Sequence, residues 1–389
     1  MTDIFILSAA RTAIGTFGGA LSGLGPIDIA THAAKAAIAR AGVDAGQIGT
    51  TVFGHVINTE PRDMYLSRVA AMNAGVPEGA PALNVNRLCG SGAQAIVSAV
   101  QSLMLGDADM ALAGGAECMS RSPYAMTTVR FGQKMGDTKV LDMMTGALTC
   151  PFGTGHMGVT AENVAAEHGI SRADQDAFAL ESQIRAARAI AEGRFTDQIV
   201  PIELASRKGP VTFVVDEHPK ATTIEALAGL RPAFQKDGSV TAGNASGIND
   251  GAAALVLARG DAATGLKPRA RIMGYAVAGV APRVMGLGPI PAVQQLCAKL
   301  GMKPADFDVV ESNEAFAAQA IAVNRALGLD PARVNPNGGA IALGHPVGAT
   351  GALVTVKALH ELERTGGKTA LITMCIGGGQ GIALAIERV

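Results

Sequence analysis

The chain has 389 residues, of which 48% are hydrophobic and only 17% are charged. Soluble domains usually carry about 25% charged residues, so the low fraction indicates a large buried core or an oligomer. Lys and Arg number 32 against 33 Asp and Glu, which gives no basic surface of the kind that binds nucleic acid. High hydrophobicity with a net charge near zero also excludes disorder for most of the chain.

The cysteine pattern argues against disulfides and metal sites. The five cysteines are odd in number and far apart, and no pair has the spacing of metal ligands. They are Cys89, Cys118, Cys150, Cys297 and Cys375. Residues 1–15 lack the basic start and the long apolar run of a secretory signal. We therefore expect a cytoplasmic protein without a metal.

Two charge-poor runs could be mistaken for membrane spans. Prolines, asparagines and glycines interrupt the run at 335–356, and a glycine turn interrupts the run at 369–386. A bilayer requires a uniform apolar helix of about 20 residues, which neither run provides. We expect no membrane segment, and we interpret 369–386 as two buried strands joined by the glycine turn.

In chain order, the first third alternates strand-like runs with Ala-rich helical stretches. IFILSAA and TVFGHVI predict strands, and IDIATHAAKAAIARAG predicts a helix closed by Gly42. PALNVN then leads through a sharp turn into the helix AQAIVSAVQSLMLG, and MALAGGAE follows as a strand. This alternation predicts a right-handed, mostly parallel α/β unit. The second helix has a predicted buried stripe of Ala95, Ile96, Ala99, Val100, Leu103 and Met104.

The region at 119–249 differs in character. Six of the fifteen methionines lie between Met119 and Met157, where they could fill a core or form an adaptable apolar wall. A helix is predicted from Ser171 to Glu192, with Ser171 as N-cap and Asp174 completing a capping box. Its predicted apolar face consists of Ala177, Leu180, Ile184, Ala187 and Ala191. Such an insertion often forms a lid or the wall of a binding site.

The last third repeats the strand–turn–helix scheme. Val85-Asn86 precedes a glycine-rich turn in the first third, and Val334-Asn335 precedes another in the last. The repetition indicates an internal duplication, although any two βα units look similar at this level. We therefore predict an N-terminal half of residues 1–118 plus about 250–268, an inserted loop domain at 119–249, and a C-terminal half at 269–389.

Four residues at the predicted carboxyl ends of strands could carry chemistry. These are Cys89 in LCGSG, His345 in GHPVGATG, Cys375 in MCIGGG and Asn313 in ESNEAF. A cysteine at a helix N-terminus has a lowered thiol pKa, and a histidine can act as its base. Taken singly, three of them have a structural alternative: a small buried residue for Cys89, a loop hydrogen bond for His345, and an N-cap for Asn313.

Their shared position favours a joint role, because open α/β sheets build their sites at that edge. Together they suggest thiol-based acyl chemistry. Cys89 would take the acyl group, and Cys375 would move a second proton when a carbon acid is made or quenched. That second base distinguishes carbon–carbon chemistry from thioester or peptide hydrolysis.

The sequence resembles the thiolases, the acetyl-CoA C-acyltransferases, from about residue 5 to the end. Seven motifs occur in the order seen in that family: SAARTAIGTFGGAL, NRLCGSGAQAI, GHMGVTAENVA, TAGNASGINDGAAA, NEAFAAQA, NPNGGAIALGHPVGATG and CIGGGQG. The resemblance implies the thiolase fold, in which two duplicated α/β halves form five αβαβα layers with an inserted loop domain. It also implies a homotetramer, a dimer of dimers, that acts on CoA thioesters.

The resemblance further implies a role for each site residue. Cys89 would carry the acyl group, His345 would activate the thiols, and Cys375 would remove or return the α-proton. Asn313 and His345 would hold the enolate oxygen, while the backbone N–H groups of Cys89 and Gly377 would form a second oxyanion hole. No metal or redox cofactor is implied, because coenzyme A is a substrate and product.

The same resemblance predicts the CoA-binding and acyl-binding residues. Ser246 would contact the pantetheine, and His156 and Met285 point to the short-chain, acetoacetyl-CoA type. The remaining predicted contacts are Leu148, Met157, Phe234, Ala242, Ala315 and Phe316. Lys220 stands where family members often have an arginine near the CoA phosphates, and it could equally be a solvated lysine.

Several alternatives were weighed against a short-chain thiolase. Broader-range 3-ketoacyl-CoA thiolases share the residues named above. The ketoacyl synthases would have a histidine at the position of Cys375, and a Cys-His-Asn hydrolase would leave both Cys375 and the duplication unexplained. A non-catalytic acyl-binding or lipid-binding protein on the same fold would be expected to have lost a catalytic residue.

Overall fold

A mixed sheet of eleven strands forms the centre of the molecule, whose computed structural model describes residues 2–207 and 209–389. The strands are β1 (Ile4–Thr12), β2 (Gly15–Thr16), β3 (Thr50–Gly54), β4 (Ala82–Val85), β5 (Met110–Cys118), β6 (Tyr124–Ala125), β7 (Leu141–Asp142), β8 (Thr149–Cys150), β9 (Gly155–His156), β10 (Ile199–Val200), β11 (Ile202–Leu204), β12 (Val211–Phe213), β13 (Asn249–Arg259), β14 (Ala270–Gly279), β15 (Val309–Ser312), β16 (Thr369–Ile376) and β17 (Gln380–Arg388).

Helices cover both faces of this sheet. They are α1 (Pro26–Ala41), α2 (Leu66–Asn73), α3 (Ser91–Leu105), α4 (Met143–Ala147), α5 (Met157–Glu167), α6 (Arg172–Ala191), α7 (Ile224–Ala228), α8 (Pro289–Leu300), α9 (Ala317–Leu327), α10 (Ala340–Leu343) and α11 (Thr350–Thr365). Short 3₁₀ segments lie at Ala45–Gln47, Pro61–Tyr65, Met119–Arg121, Val129–Phe131, Pro282–Leu287 and Pro304–Asp306.

The strand order is β15-β16-β17-β14-β1-β13-β5-β3-β4, with β10 beside β1 and β2 beside β13. The pairs β3–β4, β3–β5, β15–β16 and β1–β10 are parallel, and the other pairs are antiparallel. The expectation of a mostly parallel unit in the first third was confirmed, since β1 and β5 both pair antiparallel with β13 and therefore run in the same direction as β3 and β4. The long strand β13 returns after the 119–248 segment and inserts antiparallel between β1 and β5, a pairing that no local pattern specifies.

The two halves of the sheet meet along a short seam. There β1 pairs with β14 through only two residue pairs, Phe5 with Arg271 and Ile6 with Ala270. On one side lie β1, β3 to β5 and β13, and on the other lie β14 to β17. Within the described residues, the 119–248 segment adds only β10 to this sheet.

Packing of the helices produces five layers. Helices α3 and α11 contact each other and lie between the two halves of the sheet, in one continuous apolar cluster. Helices α1 and α2 cover the outer face of the first half, while α8 and α9 cover the outer face of the second. This αβαβα arrangement agrees with the fold expected from the resemblance.

The sequence predicted the helix ends well. Helix α1 ends at Gly42, whose φ of +68° is the left-handed conformation that glycine adopts without strain. Helix α6 begins with the predicted capping box: the Asp174 N–H donates to Ser171 Oγ, and the Ser171 N–H donates to Asp174 Oδ2, both at 3.1 Å. Local chemistry alone determines these boundaries.

The predicted buried faces were less accurate. In α3 the stripe is buried except Met104, which is 42% exposed near the end of the helix. The predicted face of α6 was wrong, because Ile184 is 51% exposed. Small and polar residues form the buried face instead, and one of them, Ser182, donates from its Oγ to Glu314 Oε2 at 2.7 Å. The buried residues of α6 are Gln175, Asp176, Ala179, Ser182, Ala186 and Ala189.

One described segment, Leu88–Leu105, is long and apolar enough to cross a membrane by length and composition alone. It contains α3, which packs between the two halves of the sheet, and 56% of the segment is buried inside the molecule. A buried helix in the core of a protein can be as long and as apolar as a helix that crosses a membrane.

Candidate active site

A cavity of about 520 Å³ opens between the strand ends and the 119–248 segment. Thirteen of the fifteen predicted site residues line it. They are Cys89, Leu148, His156, Met157, Lys220, Phe234, Ala242, Ser246, Met285, Ala315, Phe316, His345 and Gly377. The structure therefore brings together residues that lie up to 288 positions apart in the chain.

The other two predicted residues, Cys375 and Asn313, lie behind the cavity wall. Cys375 is fully buried on β16 and packs in one cluster with Met157, Met285 and Phe316. Asn313 is 1% exposed and contacts His345. Both therefore contact residues that line the cavity.

Cys89 lies in a strained turn between β4 and α3. Leu88, the residue before it, has a φ of +46°, which few residues with a Cβ adopt. The turn is held by Ser91, whose Oγ accepts the Arg87 N–H at 2.9 Å and donates to the Leu88 carbonyl at 2.6 Å. Strain at a tight turn that carries a nucleophilic side chain indicates a functional position.

The pKa of the Cys89 thiol was expected to be lowered by the helix N-terminus, and this was wrong. Burial raises the pKa of this thiol, and the N–H groups of Gly377 and of Cys89 itself lower it by less. The negative charge of Glu117 adds to the increase. Cys89 is therefore a neutral thiol at rest and needs a nearby base to become a thiolate.

His345 lines the same cavity and carries an imidazole that can act as a base. It follows the helical turn α10, not the strand predicted from the sequence, because the second half has only an isolated bridge between Val310 and Val334 where the first half has β4. Gly344, with a φ of +103°, turns the chain, and the His345 N–H donates to Asn249 Oδ1 at 2.9 Å. Asn249 thus holds the backbone from which the imidazole projects.

The hydrogen bonds of the His345 ring define its tautomer. Nδ1 lies 2.7 Å from Thr350 Oγ1, and that hydroxyl donates its hydrogen to the Pro346 carbonyl at 2.9 Å. Thr350 must therefore accept from Nδ1–H, which leaves a lone pair on Nε2. Burial lowers the pKa of His345 to about 4, so the ring is neutral at physiological pH.

Asn313 faces the free nitrogen of this ring. Its Nδ2 lies 3.5 Å from His345 Nε2, and its Oδ1 has no hydrogen-bond partner among the described residues. Its N–H donates to the Thr373 carbonyl at 2.9 Å, which fixes it beside β16. It is not an N-cap, since α9 begins after Phe316. Once His345 Nε2 carries a proton, it and the Asn313 amide can both donate to one oxygen atom of a ligand.

Cys375 lies close enough to Cys89 for the two thiols to influence each other. Burial raises the pKa of Cys375 strongly, and proximity of Cys89 raises it further. The turn that follows β16 brings the Gly377 N–H within hydrogen-bonding distance of the Cys89 sulfur. A thiol that stays protonated near the nucleophile can donate a proton to a carbanion.

Aromatic side chains form one wall of the cavity. The ring of Phe234 stacks on His156 with centroids 4.7 Å apart and meets Phe316 edge-on at 6.1 Å. Nδ1 of His156 accepts the Gly158 N–H at 3.1 Å and so caps α5. The Ser246 N–H donates to the Ala315 carbonyl at 3.0 Å, which ties the loop before β13 to this wall.

His218 is a cavity residue that the sequence did not reveal. It lines the cavity beside Lys220, burial lowers its pKa to about 4, and its Nδ1 is buried without a hydrogen-bond partner. Neighbouring residues fix its backbone: Asp216 binds Arg11 through two hydrogen bonds of 2.7 and 2.9 Å. No periodicity or motif distinguishes His218 in the sequence.

Other lining residues were also not predicted. They are Thr16, Phe17, Val56, Leu88, Met119, Ala147, Ala233, Ala245, Gly247, Ile248 and Val347. Lys220 is exposed at the mouth, where its ammonium could meet an anionic group. Among the described residues, no three His, Cys, Asp or Glu side chains cluster closely enough to hold a metal ion.

Comparisons with known proteins identify the family. Residues 4–261 match the model of the thiolase N-terminal domain, and residues 266–388 match that of the thiolase C-terminal domain. The chain belongs to the thiolase family.

Relatives and solved structures agree along the whole length. The chain is 59% identical over 391 residues to the beta-ketothiolase BktB of Cupriavidus necator, covering 100% of this chain and 99% of the relative. The crystal structure of the acetyl-CoA acetyltransferase of Bacillus anthracis superimposes with a TM-score of 0.98 at 45% identity, covering 100% and 99% of the chains. Human mitochondrial 3-ketoacyl-CoA thiolase gives the same TM-score, identity and coverage.

Proposed function

We propose that this thiolase is an acetyl-CoA acetyltransferase, which condenses two acetyl-CoA reversibly to acetoacetyl-CoA and CoA through an acyl-Cys89 intermediate. One observation carries the proposal: Cys89, His345 and the Gly377 N–H share one apolar cavity, with Asn313 and Cys375 directly behind its wall. This arrangement supplies a nucleophile, a base, oxyanion donors and a second acid in one place.

In the cleavage direction, His345 Nε2 takes the proton of the Cys89 thiol, and the thiolate attacks the 3-keto carbon of acetoacetyl-CoA. The bond between C2 and C3 then breaks. The acetyl group remains on the Cys89 sulfur, and the electron pair passes to C2 as the enolate of acetyl-CoA. The Asn313 amide and the imidazole can stabilise the enolate oxygen, commonly a large catalytic contribution.

Cys375 then protonates C2, and the first acetyl-CoA leaves. The raised pKa of Cys375 keeps its thiol protonated until a strongly basic carbon is formed. In the second stage, the protonated His345 returns its proton to the Cys375 thiolate and then takes the proton of the CoA thiol. The resulting CoA thiolate attacks the acetyl-Cys89 carbonyl, whose oxygen faces the N–H groups of Cys89 and Gly377, and the Cys89 thiolate is expelled. A second acetyl-CoA forms, and Cys89 regains a proton through His345. These steps balance without a metal or redox cofactor, so we propose CoA as a substrate and product only.

A broader-range 3-ketoacyl-CoA thiolase acting in degradation is the second candidate. The observation that favours it is the equal structural similarity to a 3-ketoacyl-CoA thiolase and to an acetyl-CoA acetyltransferase. The cavity lining is mostly apolar and includes the flexible side chains of Met119, Met157 and Met285, which can accommodate longer acyl chains.

We also propose a homotetramer, a dimer of dimers, in the cytoplasm. The 119–145 segment supports self-association because it exposes large apolar side chains, among them Phe131 and Met135 at 91% each. All five cysteines lie in the described part of the chain and are free thiols, which fits a reducing compartment.

CoA-dependent loss of acetoacetyl-CoA absorbance, measured beside 3-ketohexanoyl-CoA, tests the function. Rapid cleavage of acetoacetyl-CoA alone supports the acetyltransferase, whereas equal cleavage of both substrates supports the broader-range thiolase. Cys89→Ala should abolish either activity, and Cys297→Ala, on the distant helix α8, is the matched thiol control. No cleavage by folded protein with free thiols would overturn both candidates and favour a non-catalytic acyl-binding protein.

A further inference from the structure

A buried carboxylate lies between the loops that form two walls of the cavity. Glu117 near the end of β5 is fully buried, yet it does not line the cavity. An unpaired carboxylate in such a place would be costly, so its hydrogen bonds show what it stabilises.

The carboxylate of Glu117 accepts three backbone N–H groups from two distant loops. Oε2 accepts from Val56 at 3.1 Å and from Gly348 at 2.9 Å. Oε1 accepts from Ile57 at 3.1 Å, and His55 Nδ1 lies 3.4 Å from the same oxygen. One side chain therefore joins the loop after β3 to the loop between α10 and α11.

Both loops contribute directly to the cavity. Val56 and Val347 line it, and Gly348 lies between His345 and Thr350, the pair that defines the imidazole tautomer. Gly348 lies in the middle of residues 345–350, so its hydrogen bond to Glu117 restrains the segment that carries His345. Movement of this segment would change the position of His345 relative to Cys89 in the cavity that both line.

The fit around this contact is close. A Cβ placed on Gly348 would collide with Glu117 Oε2 and would lie 3.0 Å from the Cα of His55. Position 348 must therefore be glycine for the N–H to reach the carboxylate, since any side chain would push the loop away.

We propose that Glu117 is a positioning residue for the acyl transfer, and that it holds the His345 loop at the distance from which the imidazole deprotonates Cys89. The inference rests on the proposed function. Glu117 is not a catalytic residue, because its carboxylate faces backbone N–H groups behind the wall and not the cavity. A displacement of about 1 Å in such an arrangement can cost on the order of 10²-fold in rate.

Glu117→Gln is the main test. The amide nitrogen would replace either Oε2, which leaves the Val56 and Gly348 N–H groups without an acceptor, or Oε1, which leaves the Ile57 N–H without one. We expect kcat for acetoacetyl-CoA cleavage to fall about 10- to 10²-fold, with KM within about twofold, because substrate contacts remain while the base is displaced.

Alkylation of Cys89 by iodoacetamide, followed by mass spectrometry from pH 6 to 10, reports on the base directly. In Glu117→Gln the rate at pH 7 should fall about tenfold toward that of His345→Gln, because the displaced base outweighs the lost Glu117 charge, whose removal alone would lower the pKa of Cys89 and raise the rate. A general loss of packing would instead expose the thiol and raise the rate. This readout needs no acyl-CoA substrate, so it still decides the role of Glu117 if the proposed function fails.

Asp63→Asn is the matched control. Asp63 is also buried and accepts the N–H groups of Thr59 and Glu60, at 2.7 and 3.1 Å, but it does not contact the His345 loop. Gly348→Ala is the second variant, and it should reproduce the effect of Glu117→Gln without adding to it in the double variant. The proposal is overturned if Glu117→Gln matches Asp63→Asn in kcat and in the alkylation profile, or if the two losses add independently.

Discussion

His345 Nδ1 lies 2.7 Å from Thr350 Oγ1, and this contact determines which ring nitrogen can act as the base. Because the Thr350 hydroxyl already donates to Pro346, it can only accept from the ring. The lone pair is therefore on Nε2, the nitrogen that faces Asn313. A single hydroxyl at the start of α11 thus leaves the lone pair on the nitrogen that would take the proton of Cys89 in the proposed reaction.

Replacing Thr350 with Val should remove the hydrogen bond that holds the imidazole proton on Nδ1. Valine has nearly the same shape but no acceptor, so Nδ1 and Nε2 compete for the proton. We expect kcat to fall about 10- to 10²-fold with little change in KM. Thr350→Ser keeps the hydroxyl and should retain most of the activity. Equal rates for the Val and Ser variants in steady-state cleavage assays would show that the hydroxyl does not define the tautomer.

Cys375→Ala should separate the two stages of the reaction. Acetyl transfer from acetyl-CoA to Cys89 needs Cys89, His345 and the Gly377 N–H, so exchange of labelled CoA into acetyl-CoA should persist. Cleavage of acetoacetyl-CoA needs a proton donor for the enolate and should fall at least about 10²-fold. A variant that retains cleavage would favour hydrolase-like chemistry, in which Cys375 has no part.

Features with local causes could be predicted from the sequence. The end of α1 at Gly42 and the capping box of Ser171 and Asp174 depend on neighbouring residues, and both are present. The cavity lining followed from the family resemblance. The buried face of α6 could not be predicted by apolar spacing, because Ser182 is buried through a hydrogen bond to Glu314, 132 residues away.

Glu117 and His218 could not be predicted from the sequence either, because their positions also depend on contacts between residues far apart in the chain. Glu117 meets Gly348 across 231 positions, and His218 enters the cavity because Asp216 is anchored to Arg11, 205 positions away. Neither contact produces a periodic pattern in the sequence from which it could be predicted. Thr350 did have a signal, since it is a hydroxyl residue in the GHPVGATG motif five positions after His345.

His218→Leu should weaken substrate binding. The Nδ1 of His218 is buried without a partner on the cavity wall, so a polar group of the CoA substrate is expected to hydrogen-bond to it. Loss of one neutral hydrogen bond corresponds to a roughly 2- to 10-fold rise in KM, with kcat nearly unchanged. His168→Leu is the matched control, because His168 is exposed at the end of α5. An unchanged KM would show that the ring only fills space.

Charge on the exposed apolar segment should disrupt the proposed tetramer. Phe131→Asp combined with Met135→Asp places two carboxylates on side chains that are 91% exposed in the single chain. If this segment joins two dimers, light scattering should show the mass halved, since buried unpaired charges are strongly unfavourable. Lys134→Asp changes charge in the same segment without removing apolar surface and serves as control. An unchanged mass in the double variant would place the contact elsewhere.

His360 on α11 should make the fold sensitive to acid. Burial and, to a smaller extent, the nearby Arg269 together lower its pKa from 6.5 to about 4. Its Nε2 lies 3.3 Å from the Arg269 guanidinium, which can only donate, so this nitrogen carries no hydrogen. The ring also hydrogen-bonds to the Ala9 carbonyl. Protonation would replace the Arg269 hydrogen bond with a repulsion.

The sign of the effect follows from the two pKa values. Between pH 6.5 and about 4 the unfolded chain binds a proton at this residue and the folded protein does not. The free energy of unfolding therefore falls as the pH falls through this window, by up to about 1.4 kcal/mol per pH unit. Above pH 6.5 both states are neutral at His360, and its contribution is constant.

Urea unfolding of His360→Phe and the parent protein at pH 5.0, 6.0 and 7.5 measures this effect. The variant should lose less stability on acidification than the parent, even if it is less stable at pH 7.5. Glu311, whose pKa burial raises to about 7, acts in the opposite direction but is present in both proteins. His32→Phe on the exposed face of α1 is the control and should keep the parental slope. Parallel pH dependences for His360→Phe and the parent would show that His360 titrates equally in the folded and unfolded states.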